Sequence, residues 1–198
     1  MRGLATAGWC VIVSAALLAQ QPAAQPQPPA GAPAALTLAQ IEKPSADSWP
    51  TYNGDYSGRR FSPLAKITAA NVKNMSLAWL YDLPVTGVIK ATPLLVGGAL
   101  YFTTPNHVYA ADARTGQELW HYTFARSRGG IQIGNRGVAV LGNTVYFTTT
   151  DCNLVALDIK TGAEKWAKEF CSVEMMYYGS VAPVLMSSAT RLQSVVVK

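Results

Sequence analysis

An all-β chain forming part of a β-propeller is what this sequence predicts, and three observations carry the prediction. An eleven-residue segment occurs twice, as Ala110-Ala111-Asp112-Ala113-Arg114-Thr115-Gly116-Gln117-Glu118-Leu119-Trp120 and as Ala156-Leu157-Asp158-Ile159-Lys160-Thr161-Gly162-Ala163-Glu164-Lys165-Trp166, with six of eleven positions identical. Upstream, Tyr101-Phe102-Thr103-Thr104 matches Tyr146-Phe147-Thr148-Thr149, so the copies recur at a spacing of 45 to 46 residues. Around each copy, short apolar or β-rich runs alternate with turns bearing Gly or Asn. Self-similarity at a period of roughly 40–50 residues fits a propeller or solenoid with one supersecondary unit per repeat. Four short strands joined by tight turns make an antiparallel blade.

From the amino terminus, Met1–Gln20 reads as a secretory signal: Arg2 gives a short positive region and Val11–Leu18 is apolar apart from Ser14. Cleavage is placed after Ala19 or Ala24. The apolar run falls short of the roughly 18–20 residues that span a bilayer, so no stable membrane anchor is expected. Cys10 follows bulky Trp9 and precedes the apolar run, which is wrong for a lipoprotein cysteine. Gln21–Ala35 holds five of the twelve prolines among Ala and Gln and reads as an extended linker. The chain thus divides into a signal peptide (1–24), a Pro/Ala/Gln-rich linker (25–48) and propeller sequence (49–198).

Globular sequence is expected to begin near Trp49. Tyr52–Ser62 reads as a loop pinned by aromatics, Lys66–Met75 as a short helix with Thr68 as N-cap, and Ser76–Leu83 as an outer strand carrying Trp79. Two full blades follow. The first has runs at Ala91–Val96, Ala99–Thr104, Val108–Ala111 and Gln117–Phe124. The second has them at Gly137–Leu141, Thr144–Thr149, Leu154–Leu157 and Ala163–Phe170. In the Asp-x-x-Thr-Gly turn, Asp accepts hydrogen bonds from backbone N–H groups two or three residues on, and Gly takes the positive φ that closes the hairpin. The Trp that follows is large enough to fill the seam between blades. Ser180–Lys198 reads as the start of a third blade, although Met186–Lys198 loses the hairpin pattern. A front portion of a larger protein is therefore expected, or a truncated product.

Composition suits a secreted β protein: 49% hydrophobic, 14% charged, nine Tyr and five Trp. The net charge of +5 is scattered without a Lys/Arg stripe, so no nucleic-acid partner is expected. Phosphate-binding and nucleophile-elbow motifs are absent, and so is Cys-x-x-Cys. His107 and His121, the only histidines, read as structural or exposed. Cys152 lies in the turn between the second and third strands of its blade and Cys171 directly follows the fourth. A disulfide between them is reasonable in an oxidising compartment; two free thiols are the alternative.

The segment Ala-x-Asp-x-x-Thr-Gly-x-x-x-Trp resembles the tryptophan-docking motif of the pyrroloquinoline quinone (PQQ)-dependent alcohol dehydrogenases, which are eight-bladed propellers. The likeness covers about Trp49 to Pro183. It includes the leading segment Trp49-Pro50-Thr51-Tyr52-Asn53-Gly54-Asp55-Tyr56-Ser57-Gly58-Arg59-Arg60-Phe61-Ser62-Pro63-Leu64, which is more characteristic of the dehydrogenases than the docking motif. That motif is shared with non-enzymatic propellers such as the outer-membrane assembly lipoprotein. The resemblance implies a periplasmic or secreted enzyme oxidising an alcohol or sugar with PQQ and calcium, and a cytochrome c as a possible electron acceptor. A non-enzymatic propeller scaffold is the rival reading.

Propeller geometry brings three positions to one mouth of the central channel, because each enters an innermost strand: Lys90, the Asn135-Arg136-Gly137 group, and Ser180. The resemblance makes Arg136 the cofactor-contacting arginine, with Asn135 beside it and Ser180 a cofactor-bonding hydroxyl. A guanidinium suits carboxylates and a developing charge on quinone oxygens. The alternative is an arginine bonding loop carbonyls. Relatives often carry Glu where Lys90 stands; this lysine either pairs with a PQQ oxygen or points to solvent. The adjacent Cys-Cys pair of methanol-oxidising relatives is missing from Ser127–Ile133. The family's calcium ligands and catalytic aspartate lie beyond this sequence, so no residue here is assigned as base.

Overall fold

A computed structural model of the chain describes residues 35–83, 89–126 and 135–170. The expected signal, residues 25–34 of the expected linker, Cys171, Ser180 and the possible third blade lie outside the described residues. Two four-stranded antiparallel sheets form the body, each a simple meander. The first blade is β1 (Leu94–Val96), β2 (Ala99–Thr104), β3 (His107–Asp112) and β4 (Glu118–Thr123). The second is β5 (Ala139–Leu141), β6 (Thr144–Thr148), β7 (Asn153–Asp158) and β8 (Glu164–Glu169). Both are the antiparallel blades the repeat predicts, and both carry a register shift at the same place, Ala110/Ala111 and Ala156/Leu157.

The repeated turn has the expected chemistry. Asp112 Oδ1 accepts from the backbone N–H of Arg114 (2.8 Å) and Thr115 (3.0 Å). Asp158 Oδ1 does the same for Lys160 (3.0 Å) and Thr161 (3.2 Å). Gly116 and Gly162 sit at φ +71° and +68°, a region that penalises any Cβ.

Each glycine also forms a shelf for a tryptophan of the preceding unit. Trp120 lies over Gly162 and donates its Nε1–H to the Ile159 carbonyl at 3.0 Å. Trp79 lies over Gly116 and donates to the Ala113 carbonyl at 3.2 Å. Two residues beyond each indole a tyrosine hydroxyl reaches the glutamate two residues beyond each glycine: Tyr81 to Glu118 and Tyr122 to Glu164. Arg126 adds a two-pronged bond to Glu164 at 2.7 and 2.8 Å. Tryptophan, glycine, tyrosine and glutamate therefore form one clasp, made twice. Trp166 occupies the equivalent place on β8 and is only half-buried.

The copies differ by one residue, and the structure shows where. Thr104 pairs with His107 across a two-residue turn whose Asn106 has φ +61°. In the second blade Thr149 bonds Asn153 across three residues, and Cys152 takes the left-handed position at φ +69°. The core is the strip of side chains between the sheets: Tyr101, Val108, Val140, Val145, Phe147, Val155, Leu157 and Ile159 are all inaccessible to water.

Three expectations change. Lys66–Met75 is not an α-helix: only a 3-10 turn forms at Val72–Asn74, and Thr68 does not cap it. Asn71 instead accepts from the Thr68 N–H (2.7 Å) and donates to the Lys66 carbonyl (2.8 Å), bonds that hold a loop. Ser76–Leu83, expected as an outer strand, is not assigned as one, since no described strand lies beside it; its Trp79 nevertheless docks on Gly116. Ordered structure also begins upstream of Trp49. Thr37 and Gln40 form a reciprocal capping box for α1 (Leu38–Glu42), and Leu36 and Ile41 are buried in the core. The proline-dense composition has ended by that point, which leaves apolar side chains able to pack.

Candidate functional site

The leading segment crosses both innermost strands. Leu36 forms an antiparallel bridge with Gly142 at the β5–β6 turn, and Trp49 does so with Leu95 of β1. The chain then turns at Gly54, which bonds the Thr51 carbonyl at 3.0 Å and lies under the Trp49 indole. This path brings Tyr52, Asn53, Asp55 and Tyr56 over the openings of β1 and β5. The result is a pocket of about 170 Å³. Its floor is apolar, with Ile41, Leu94, Val138 and Val140, and its rim is polar, with Tyr52, Asn53, Thr92 and Arg136.

Arg136 is thus a pocket residue, and the backbone on both sides of it is fixed. Asn135 is buried; its Oδ1 accepts from Thr103 Oγ1 at 3.0 Å and from the Gly137 N–H at 2.7 Å. Its Nδ2 donates to the Thr148 carbonyl. Asn135 therefore ties β2 of one blade to β6 of the next, and its polar atoms are engaged by protein. Gly137 has φ +117°, and a Cβ there would stand 3.4 Å from the Thr92 carbonyl. Between these anchors the Arg136 side chain is exposed, and its guanidinium has no hydrogen-bond or ion-pair partner among the described residues. Lys90 is exposed and does not line this pocket. Ser180 lies outside the described residues, so the structure brings together Asn135 and Arg136 but not the full expected set.

Sequence reasoning missed Tyr52 and Thr92. The Arg60 guanidinium lies 4.8 Å from the Tyr52 ring centroid, with its Nε bonded to Asn53 Oδ1 at 2.8 Å. Arg60 itself holds φ +53°, an uncommon place for a side chain of this size. Hydrogen bonding to Arg60 and Thr92, with the charges of Arg60 and Arg136, holds the Tyr52 phenol below its ordinary pKa. The rim's carboxylate, Asp55, is engaged by Ser57 through its N–H (2.8 Å) and its hydroxyl, and by Arg59 at 3.6 Å. The pocket is therefore electropositive and rich in donors, over an apolar floor. That combination suits a flat molecule with anionic oxygens at its edge.

The two histidines are structural. His107 Nδ1 and His121 Nε2 are 3.0 Å apart, and His121 stacks on Tyr109 at 4.3 Å between ring centroids. Among the described residues no group of three or more His, Cys, Asp or Glu is placed to hold a metal ion. Nor is any described helix long and apolar enough to cross a membrane, which says nothing of β-barrels.

Tryptophan-docked, four-stranded blades around an arginine-rimmed pocket define a quinoprotein-type propeller, and comparison with known proteins agrees. Residues 49–164 match the family described as glucose/ethanol/alcohol dehydrogenase, beta-propeller domain, and the chain belongs to it. It is 38% identical over 139 residues to 1-butanol dehydrogenase (cytochrome c) of Thauera butanivorans, covering 67% of this chain and 20% of that protein. It is 39% identical over 150 residues to the quinohemoprotein alcohol dehydrogenase of Comamonas testosteroni, covering 68% and 21%. The crystal structure of the Comamonas enzyme superposes with a TM-score of 0.59 at 36% identity, over 66% of this chain and 22% of that one. A europium-containing methanol dehydrogenase superposes at 0.65 with 30% identity, over 76% and 27%. The chain spans about a fifth of the length of the curated relatives it matches.

Proposed function

We propose that this chain is the N-terminal part of a PQQ-dependent dehydrogenase that oxidises an alcohol or sugar in the periplasm and passes electrons to a cytochrome c. One observation carries the reading: Arg136, clamped between buried Asn135 and Gly137, presents a guanidinium with no partner among the described residues at the rim of a pocket with an apolar floor. The donors present fit one edge of a planar tricarboxylate quinone. When bound, PQQ supplies the two-electron chemistry, and the protein supplies position and electrostatics.

In this reading Arg136 binds anionic oxygens through charge-assisted bonds, and Asn135 orients the turn that carries it. Leu94, Val138 and Val140 exclude water from beneath the site. Calcium ligands and the proton acceptor would come from outside the described residues. Export would use the signal at Met1–Ala24.

PQQ titration of the complete dehydrogenase, with calcium present, tests the reading. Charge-assisted hydrogen bonds contribute about 1.5–3 kcal/mol each, so Arg136→Ala should weaken binding by roughly one to two orders of magnitude. Arg136→Lys should recover only part, because an ammonium lacks the planar fork. Equal binding by wild type and Arg136→Ala would remove Arg136 from the site.

A further inference from the structure

We propose that Tyr52 is a second cofactor-binding residue, so that the leading segment supplies one wall of the site and its phenol and the Arg136 guanidinium hold one anionic edge of PQQ together. This rests on the reading that Arg136 meets the cofactor, and it adds a residue that the strand-entry geometry does not identify.

Three features of the molecule carry it. Tyr52 and Arg136 line the same pocket, although they are distant in sequence. Tyr52 keeps 42% of its surface exposed in a segment otherwise anchored by the Trp49–Leu95 bridge, and its phenol meets Arg60 and the rim residue Thr92. Arg60 covers the ring face, held there by its bond to Asn53, and takes up a left-handed backbone conformation to do so. A cation beside a phenol makes its O–H a stronger donor toward an anion. Thr92, on the same rim, adds a further hydroxyl. With Asp55 engaged by Ser57 and Arg59, no other carboxylate among the described residues lines the pocket to compete for these donors.

The surroundings also make the phenol's role separable by pH. The charged or titratable groups around Tyr52 are Arg60 and Arg136, Asp55, and Tyr56, which burial and Glu42 push upward. Tyr56 is held above the ordinary tyrosine value and Tyr52 below it, so the two phenols ionise in separate ranges. A phenolate neither donates nor tolerates an adjacent anion, so PQQ affinity should fall on the alkaline side, below the usual tyrosine pKa near 10.

The test is equilibrium binding of PQQ to the apo form of the complete dehydrogenase, followed by quenching of tryptophan fluorescence across pH. Wild type, Tyr52→Phe and Arg136→Ala are compared, with the melting temperature of each apoprotein. Tyr52→Phe keeps the ring and its packing. It should bind PQQ about tenfold more weakly near neutral pH and should lose the alkaline fall in affinity. Wild-type affinity in Tyr52→Phe with the alkaline limb intact, while Arg136→Ala is weakened, would overturn the role of Tyr52 and leave Arg136 standing. Wild-type affinity in both variants would overturn both readings. A lowered melting temperature in Tyr52→Phe with unchanged affinity would make the hydroxyl structural and would also reject the inference.

Discussion

The indole of Trp120 lies so close to Gly162 that a β-carbon there would stand 2.6 Å from the ring. Position 162 is therefore constrained twice, by its positive φ and by the indole that covers it. Gly142 shares the first constraint, with φ +57°, but nothing lies within 4 Å of its missing Cβ. Gly142→Ala should cost about 1 kcal/mol, the left-handed penalty alone. Gly162→Ala should cost about 1–3 kcal/mol more, the usual range for overpacking. Denaturant unfolding of the two variants side by side measures the difference, and equal losses would mean the indole moves aside freely.

Trp120 itself is buried, and its Nε1–H is satisfied by a carbonyl of the next blade. Trp120→Ala should destabilise by about 3–5 kcal/mol. An unchanged thermal transition in that variant would refute the docking role.

The clasp at Glu164 gives a pH dependence with a definite sign. Burial raises its carboxyl, but the bonds from Arg126 and Tyr122 outweigh that and hold it below its ordinary value of 4.5. Its stabilising contribution is thus fully present above that value and is lost as pH falls through the lower folded one. Glu164→Gln should cost about 0.5–1 kcal/mol at neutral pH, as for a partly exposed ion pair. The gap from wild type should persist below pH 4.5 and close only as pH falls through the lower folded value. A gap that persists below that folded value would mean that charge is not what the clasp uses.

The propeller blades were legible in the sequence because their determinants are local. An aspartate that bonds N–H groups two and three residues on and a glycine that takes positive φ need no distant partner, so the strands came out close to their observed limits. The docking of Trp79 was not read from the sequence, and the strand expected around it is not formed, because strand formation requires a neighbour that local pattern does not report. Asn71 shows the same limit at smaller scale: its side chain bonds to Lys66 and Thr68 stabilise a loop where composition suggested a helix. At the site, Arg136 was reached through resemblance. Tyr52 stayed hidden because it meets Arg136 only once the leading segment is laid across β1.

Asn135 and Arg136 are adjacent but should respond oppositely. Removing the Asn135 amide leaves Thr103 Oγ1 and the Thr148 carbonyl without this buried partner, so Asn135→Ala should cost about 2–3 kcal/mol. Arg136→Ala, at an exposed side chain, should stay within about 0.5 kcal/mol. Thermal unfolding of both apoproteins checks the contrast. Similar losses would indicate that Arg136 is also structural.

Cys152 is buried at the hairpin tip, and the N–H of Phe170 bonds its carbonyl at 3.0 Å; Cys171, the next residue in the sequence, lies outside the described residues. A Cys152–Cys171 disulfide is the expected outcome, closing a loop of 19 residues and stabilising by about 3 kcal/mol in the loop-entropy model. Non-reducing peptide mapping should recover the linked pair. Alkylation of both cysteines without reductant would reject it.

The bridge from Leu36 to Gly142 sets a timetable for synthesis. Leu36 leaves the ribosome about a hundred residues ahead of its partner, and at roughly 5–20 residues per second that is a wait of some 5–20 seconds. Throughout that interval the first blade can pair its own strands, but the leading segment is held on that side alone, through the Trp49–Leu95 bridge and the contact of Tyr52 with Thr92. Leu36 and Ile41 find their full packing only after the second blade has formed. The pocket wall is therefore assembled last among the described parts, which makes the leading segment a natural place for a nascent chain to be caught by chaperones or proteases if the second blade fails.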